Sequence, residues 1–278
     1  MSDPAAGRAD DSVEREAQEL AARATATVVE RVETVGAMDP GLRGALYALL
    51  SSLADNKYVL GRRYAEWCTG APRLESAVAA AAMAQDELGH ARSFYPLLRG
   101  FPEASEADTV EELGWQDRPT SALACLDRKF ASWRDFVAAN FVVDTAFSVL
   151  FEAATDCWYE PLRQRARKIV QEEEAHWVHA SGWVRRLADD EQSRPALLAS
   201  LAAAWDDAFT WFGAPDDAVF GRLAREGIIA EGPDALRGRL LSRLGPALES
   251  AGLAGGLTAR NLPWERWDAR ARRLRPGG

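Results

Sequence analysis

The chain has 278 residues, and 47% of them are hydrophobic, enough to bury the core of one large domain or two modest ones. Its formal net charge is −9, with acidic and basic residues interspersed, which argues against nucleic acid or an anionic membrane as its main partner. The three cysteines lack CxxC spacing, which predicts free thiols in a reducing cytoplasm. The sequence has no secretion signal and no apolar run near the ~20 residues of a membrane span. We therefore expect a cytoplasmic protein with no membrane partner.

The first elements in chain order are a disordered N-terminus over residues 1–10 and an amphipathic helix over 12–35. A longer helix is predicted from Pro40 to Cys68, and Lys57 falls inside its apolar seam. The seam consists of Leu46, Leu49, Leu50, Leu53, Leu60 and Tyr64.

The next helix is predicted over residues 73–99, and Glu87 and His90 interrupt its apolar stripe. Residues 100–120 contain several glycines and prolines and form a connection longer than a helix hairpin requires, as a crossover between two helix pairs would. A helix over 121–158, with a break near Ser132, follows and carries Asp144 on a mostly apolar face.

A fifth helix is predicted over residues 161–188, and Glu173 and His176 again face inward with its apolar stripe. Further helices are expected at 195–212, 218–226 and 233–250, followed by a loose tail, and no segment has the period of a strand. We therefore predict one all-α domain over residues 11–278, with its core bundle at about 40–190 and C-terminal helices at about 193–250.

The most informative pattern is a repeated Glu-x-x-His. Glu87 with His90, and Glu173 with His176, use two of the three histidines in the chain. Residues three apart lie on one face of an α-helix, so each copy aims a carboxylate and an imidazole at one point. Two such points can form one metal site.

Four long helices joined by a short turn, a long crossover and a short turn match the ferritin-like four-helix bundle, where such pairs bind two metal ions. Asp144 would supply a third carboxylate, and this donor set suits iron or manganese. A bound metal would offset the cost of burying several carboxylates. The alternative is a buried network of hydrogen bonds and salt bridges in a metal-free bundle.

The fourth position of such a site lacks its carboxylate. Only Lys57 faces inward there, because Asp55 and Glu66 lie about 200° and 180° around the helix from it at 3.6 residues per turn. Lys57 is a candidate catalytic residue, although neutralising the carboxylates is the simpler role for a buried lysine. Acid–base or radical chemistry at Lys57 or Tyr64 in a metal-free bundle is a further alternative.

At these residues the chain resembles the A and C subunit family of phenylacetyl-CoA epoxidase, which is ferritin-like. The resemblance spans roughly residues 40–190. It rests on the stretches 53–63 (Leu-Ala-Asp-Asn-Lys-Tyr-Val-Leu-Gly-Arg-Arg), 66–68 (Glu-Trp-Cys), 71–72 (Ala-Pro), 86–92 (Asp-Glu-Leu-Gly-His-Ala-Arg), 142–144 (Val-Val-Asp) and 182–187 (Gly-Trp-Val-Arg-Arg-Leu).

The overall sequence looks most like the C-type member of the family, a non-catalytic scaffold that generally lacks a full metal site. The candidate ligands look instead like those of the catalytic A-type member, which they match at five positions of six. The resemblance implies two irons, O₂ as co-substrate, a CoA thioester or other small aromatic substrate, and a separate reductase. The five matching positions are Glu87, His90, Asp144, Glu173 and His176.

If these residues have the roles of their counterparts in the A-type member, Glu87 and Glu173 would bridge the metals, and His90 and His176 would each bind one. Asp144 would be a terminal ligand on the His176 side. Lys57 lies at the position where the family has a glutamate on its first helix. The resemblance is therefore compatible with a single metal ion, an unequal pair of ions or no metal in this chain.

The sequence leads to two hypotheses. The first is an iron- or manganese-dependent oxidase or monooxygenase that uses O₂, and the second is a non-catalytic C-type scaffold of a multicomponent oxygenase. Either would form oligomers with its own copies or with a related ferritin-like subunit. His179, one turn beyond His176, is expected to be an ordinary packed or surface histidine.

Overall fold

The computed structural model describes residues 31–104 and 122–275. The chain divides into two units, Met1–Val32 and Glu33–Gly278, and every element described below belongs to the second. The predicted disorder of residues 1–10 and most of the predicted helix over 12–35 lie outside the described residues. Residues 31–35, where that helix was predicted to end, are not helical. The single domain over 11–278 stays a prediction.

The described residues form seven helices and one short β-hairpin. The elements are α1 (Pro40–Ala65), α2 (Leu74–Leu98), α3 (Trp133–Ala153), α4 (Glu160–Asp189), α5 (Arg194–Trp211), α6 (Ala218–Arg225), α7 (Pro233–Ser250), β1 (Trp267–Asp268) and β2 (Arg273–Leu274). The first four are the core of a ferritin-like all-α fold, as predicted. The fourth predicted helix is shorter than expected, because before Ser132 only the 3₁₀ turn Ala124–Leu126 forms.

Local capping explains where two of the core helices begin. Asp39 accepts hydrogen bonds from the backbone N–H groups of Gly41 and Leu42 at the start of α1. Ser132 and Asp135 form a reciprocal capping box at the start of α3. This box fixes the break that the sequence predicted near Ser132.

The close packing of α1 against α2 depends on Gly61. A Cβ atom added at Gly61 would lie 2.9 Å from Leu88 Cγ and 3.0 Å from Glu87 Cβ, nearer than ordinary contacts allow. Gly61 therefore lets α1 approach the α2 backbone beside Glu87, one turn after Lys57.

Helix α3 is almost entirely buried. Its middle segment, Ala139–Asp144, is a π-helix, a rare form that is frequent at functional sites. The expectation that no stretch is long and apolar enough to cross a membrane was wrong for Trp133–Ala153. Because 94% of its apolar window is buried inside the fold, packing against other helices explains its composition.

Residues 267–275 pack onto the fold, which differs from two predictions made for them. Trp267–Asp268 pairs antiparallel with Arg273–Leu274, although no strand was predicted. The tail from Arg272 was expected to be loose, but the Arg272 side chain is 4% exposed and its Nη1 lies 3.0 Å from Asp217 Oδ2. The Arg272 guanidinium also lies 4.8 Å from the centre of the Phe220 ring. A buried ion pair thus fixes the tail to α6, an interaction that no local pattern encodes.

Replacing Arg272 by alanine is expected to lower the free energy of unfolding by about 3–5 kcal/mol, because Asp217 would stay buried without its cation. Urea denaturation of the purified chain measures this loss. Arg270→Ala, at an exposed position of the same turn, serves as the control and should change stability by less than about 0.5 kcal/mol. Equal stability of both variants would contradict a structural role for the tail.

Candidate metal or charge centre

The four core helices bring all six candidate site residues to the centre of the bundle. Each of these residues is buried, with at most 3% of its surface exposed. The residues are Lys57 on α1, Glu87 and His90 on α2, Asp144 on α3, and Glu173 and His176 on α4.

Lys57 lies between the three carboxylates. Its Nζ atom donates to Glu173 Oε1 at 2.6 Å, to Asp144 Oδ1 at 2.9 Å and to Glu87 Oε1 at 3.0 Å. Its Nζ also lies 5.3 Å from the centre of the Phe147 ring. The three hydrogen bonds use all three protons of an ammonium group.

These charges determine one another's ionisation. Burial acts to lower the pKa of Lys57, but the charges of Asp144, Glu173 and Glu87 outweigh it and hold the pKa well above its ordinary value. Burial acts to raise the pKa of Asp144, but Lys57 and His176 hold it well below its usual range. Burial and the charge of Asp144 raise the pKa of Glu173. Lys57 and Asp144 are therefore an ion pair at neutral pH.

His176 contributes a second cation. Its Nδ1 atom lies 2.8 Å from Asp144 Oδ2, 3.3 Å from Glu173 Oε2 and 3.5 Å from Glu87 Oε1. Burial acts to lower the pKa of His176, but the charge of Asp144 and hydrogen bonds to the carboxylates raise it. The protonated imidazole therefore adds to the positive charge of Lys57.

His90 is placed differently from its counterpart. Its Nε2 atom lies 2.8 Å from Glu172 Oε2, whereas its Nδ1 atom is 3.7 Å from Glu173 Oε1 and 3.9 Å from Glu87 Oε2. Nδ1 is buried without a hydrogen-bond partner. His90 thus borders the carboxylate cluster without bonding to it.

Sequence reasoning missed the acidic residue that precedes each motif glutamate. Asp86 Oδ2 lies 3.4 Å from His176 Nε2, and Glu172 Oε2 contacts His90 Nε2. Each histidine therefore faces an acid on the opposite helix. The available signal was that both motifs begin with two consecutive acidic residues, Asp86-Glu87 and Glu172-Glu173.

The π-helical segment of α3 carries further polar neighbours. Asp144 Oδ2 accepts from Asn140 Nδ2 at 3.4 Å and from the Tyr64 hydroxyl at 3.4 Å. Burial and the charge of Asp144 raise the pKa of Tyr64 well above its ordinary value, so its hydroxyl stays protonated. Tyr64 is thus a hydrogen-bond donor to the cluster.

His179 contacts this network from its outer side. Its Nδ1 atom lies 3.1 Å from Asn140 Oδ1, and the Trp133 and Phe136 rings meet it edge-on. Burial and the charge of His176 lower the pKa of His179 to about 4. It is a packed neutral histidine that orients Asn140.

The donor atoms suit a metal ion, but Lys57 already fills the place of one. Glu87, Asp144, Glu173 and His176 each offer an atom within 4.8 Å of one another. The ammonium lies among three of these groups at hydrogen-bond distance, where a cation held by the same carboxylates would lie. With Lys57 in this position the residues do not fit a metal pair.

Comparison with known proteins places this helical bundle in a family. Residues 17–264 match the family described as phenylacetic acid catabolic protein. The chain belongs to this family. It is 28% identical over 193 residues to the C-type component of 1,2-phenylacetyl-CoA epoxidase from Escherichia coli (strain K12), covering 69% of this chain and 76% of that protein. The predicted resemblance is confirmed.

Replacing Lys57 by methionine is expected to lower the free energy of unfolding by about 3–5 kcal/mol, because three buried carboxylates would lose their shared cation. Urea denaturation at pH 7 measures the loss, and a variant that cannot fold agrees with it. Lys168→Met is the control, since the Lys168 side chain is 73% exposed and its ion pair with Glu172 contributes only about 0.5 kcal/mol. A loss at Lys57 no larger than at Lys168 would refute the central role of the ammonium.

Proposed function

We propose that this chain is the structural, C-type subunit of a multicomponent oxygenase of the phenylacetyl-CoA epoxidase kind. The observation that supports this is the position of Lys57, which bonds to Glu87, Asp144 and Glu173 at 2.6–3.0 Å. The chain itself supplies the positive charge that a ferritin-like bundle otherwise obtains from metal ions. Such a bundle can fold and present its surface without a cofactor.

In this proposal, catalysis belongs to a related ferritin-like partner that retains all the metal ligands. The partner would hold the iron, use O₂, take electrons from a reductase and bind the CoA thioester. This chain would pair with it and stabilise its fold. The burial of the whole Lys57 cluster supports this division, because no cluster side chain is open to a substrate.

Co-expression with the related ferritin-like subunit from the same organism tests the pairing. We expect a complex that survives size-exclusion chromatography and contains both chains and metal, and that epoxidises phenylacetyl-CoA when a reductase supplies the electrons. This chain alone should show neither. Failure to form the complex, or O₂ consumption with phenylacetyl-CoA by this chain alone, would contradict the proposal.

A second candidate is the metal-dependent oxidase, and one observation favours it. Four potential ligand atoms, from Glu87, Asp144, Glu173 and His176, lie within 4.8 Å of one another. Iron or manganese could use them only if the Lys57 side chain left the cluster. The two candidates therefore differ in the metal content of the folded wild-type chain.

Elemental analysis after expression with iron or manganese separates the candidates. We expect close to zero metal in the wild type, and occupancy rising toward two ions per chain in Lys57→Glu, because that change restores a carboxylate and removes the competing cation. Lys168→Glu makes the same charge change on the surface and should stay metal-free. One or more ions per folded wild-type chain would favour the oxidase, and a metal-free, well-folded Lys57→Glu would exclude metal binding at these residues.

A further inference from the structure

A second cleft lies away from the Lys57 cluster, between the turn at residues 124–128, helix α5 and the C-terminal hairpin. It has a volume of about 390 Å³, and Asp207, Arg128 and Arg266 are among its lining residues. We call it the Asp207 cleft. A neighbouring pocket of about 180 Å³ also has Cys125, Arg128 and Ala203 in its wall. The two cavities therefore adjoin.

The neighbouring pocket has a partly apolar wall. Phe130, Ala131, Ala139 and Ala204 line it, beside the polar residues Lys129, Asp135 and Ser200 and the residues that it shares with the Asp207 cleft. Ligand sites in proteins commonly combine such an apolar surface with a few polar groups that fix orientation. Further polar groups lie in the Asp207 cleft.

Asp207 is 4% exposed and uses only one of its carboxylate oxygens. Its Oδ2 atom accepts from the backbone N–H of Cys125, which attaches the 124–128 turn to α5, whereas Oδ1 is buried without a hydrogen-bond partner. Burial raises the pKa of Asp207, although hydrogen bonds from the thiol and the backbone N–H of Cys125 act to lower it. An asparagine would attach the turn equally well without a buried charge, so the turn does not explain the second oxygen.

The other acids near Asp207 already have partners. Asp206 Oδ2 pairs with Arg260 Nη2 at 2.7 Å, and Asp127 pairs with Arg273. Arg266 donates to the carbonyl oxygen of Arg275. Arg128, by contrast, is exposed and forms no ion pair or side-chain hydrogen bond within residues 31–104 and 122–275. The cleft thus offers one unused acceptor, on Asp207, and one unused guanidinium, on Arg128.

We propose that the Asp207 cleft binds a small zwitterion that carries an apolar group, such as an α-amino acid with an apolar side chain. The ammonium of the ligand donates to Asp207 Oδ1, its carboxylate pairs with Arg128, and its apolar group enters the pocket beside Phe130. A ligand with both charges fits better than a simple amine, which Arg128 would repel, or a simple acid, which Asp207 would repel. This site is independent of the Lys57 cluster and of the subunit role proposed above.

Isothermal titration of the full chain at pH 7 with L-phenylalanine tests the proposal, with phenethylamine and 3-phenylpropionate as probes that each lack one charge. We expect saturable binding of L-phenylalanine and weaker binding of both other probes. Asp207→Asn should weaken L-phenylalanine binding at least tenfold, because its amide oxygen still accepts from Cys125 but the ammonium loses its counter-charge. An unchanged melting temperature would show that the turn stays attached.

Arg128→Gln supplies a second variant if Asp207→Asn does not fold. It should weaken L-phenylalanine at least tenfold and leave phenethylamine unchanged or strengthened, because only the first ligand has a carboxylate. Asp216→Asn is the control, since it removes one negative charge at an exposed position. No saturable binding of L-phenylalanine at 10 mM, about 2.7 kcal/mol of binding free energy, would overturn the proposal, as would binding unaffected by Asp207→Asn.

Discussion

The fold depends on an ammonium group that faces three carboxylates away from water. Burying Glu87, Asp144 and Glu173 together would repel the helices that carry them unless a cation lay between them. Lys57 supplies that cation from the remaining helix of the bundle, so all four core helices meet at one electrostatic centre. Removing either sign of charge leaves the other uncompensated in the interior, which makes the cluster a requirement for the whole bundle.

The backbone is adapted to this centre at two places. Gly61 removes the side chain that would keep α1 from α2, and it does so beside Glu87. The π-helical segment of α3 carries both Asn140 and Asp144, which bond to each other next to His176. Helix packing and the charge centre are therefore fixed by the same short segments, and His179 extends the network outward through Asn140.

The sequence was sufficient to predict the helices of the bundle and the residues at its centre, because amphipathic periodicity and Glu-x-x-His spacing are local signals. It also identified Lys57 as the residue that departs from the metal-site pattern. It predicted that Lys57 faces the carboxylates, but not that its ammonium bonds to all three of them, because those bonds depend on how the helices pack. The Arg272–Asp217 pair was missed because it joins residues that are distant in the sequence. The π-helical segment was missed because it departs from the regular helical period by which the sequence predicts a helix. The different surroundings of His90 and His176 likewise follow from packing, because both histidines belong to the same Glu-x-x-His pattern.

The central cation is part of the polypeptide, which distinguishes this bundle from one that holds a metal ion at its centre. A bundle whose counter-charge is a metal ion depends on the intracellular iron or manganese pool to complete its interior, and binding then adds to its stability. In this chain the counter-charge is synthesised with the polypeptide and is present as soon as α1 packs against its neighbours. The three buried carboxylates therefore have a counter-charge that belongs to the chain itself.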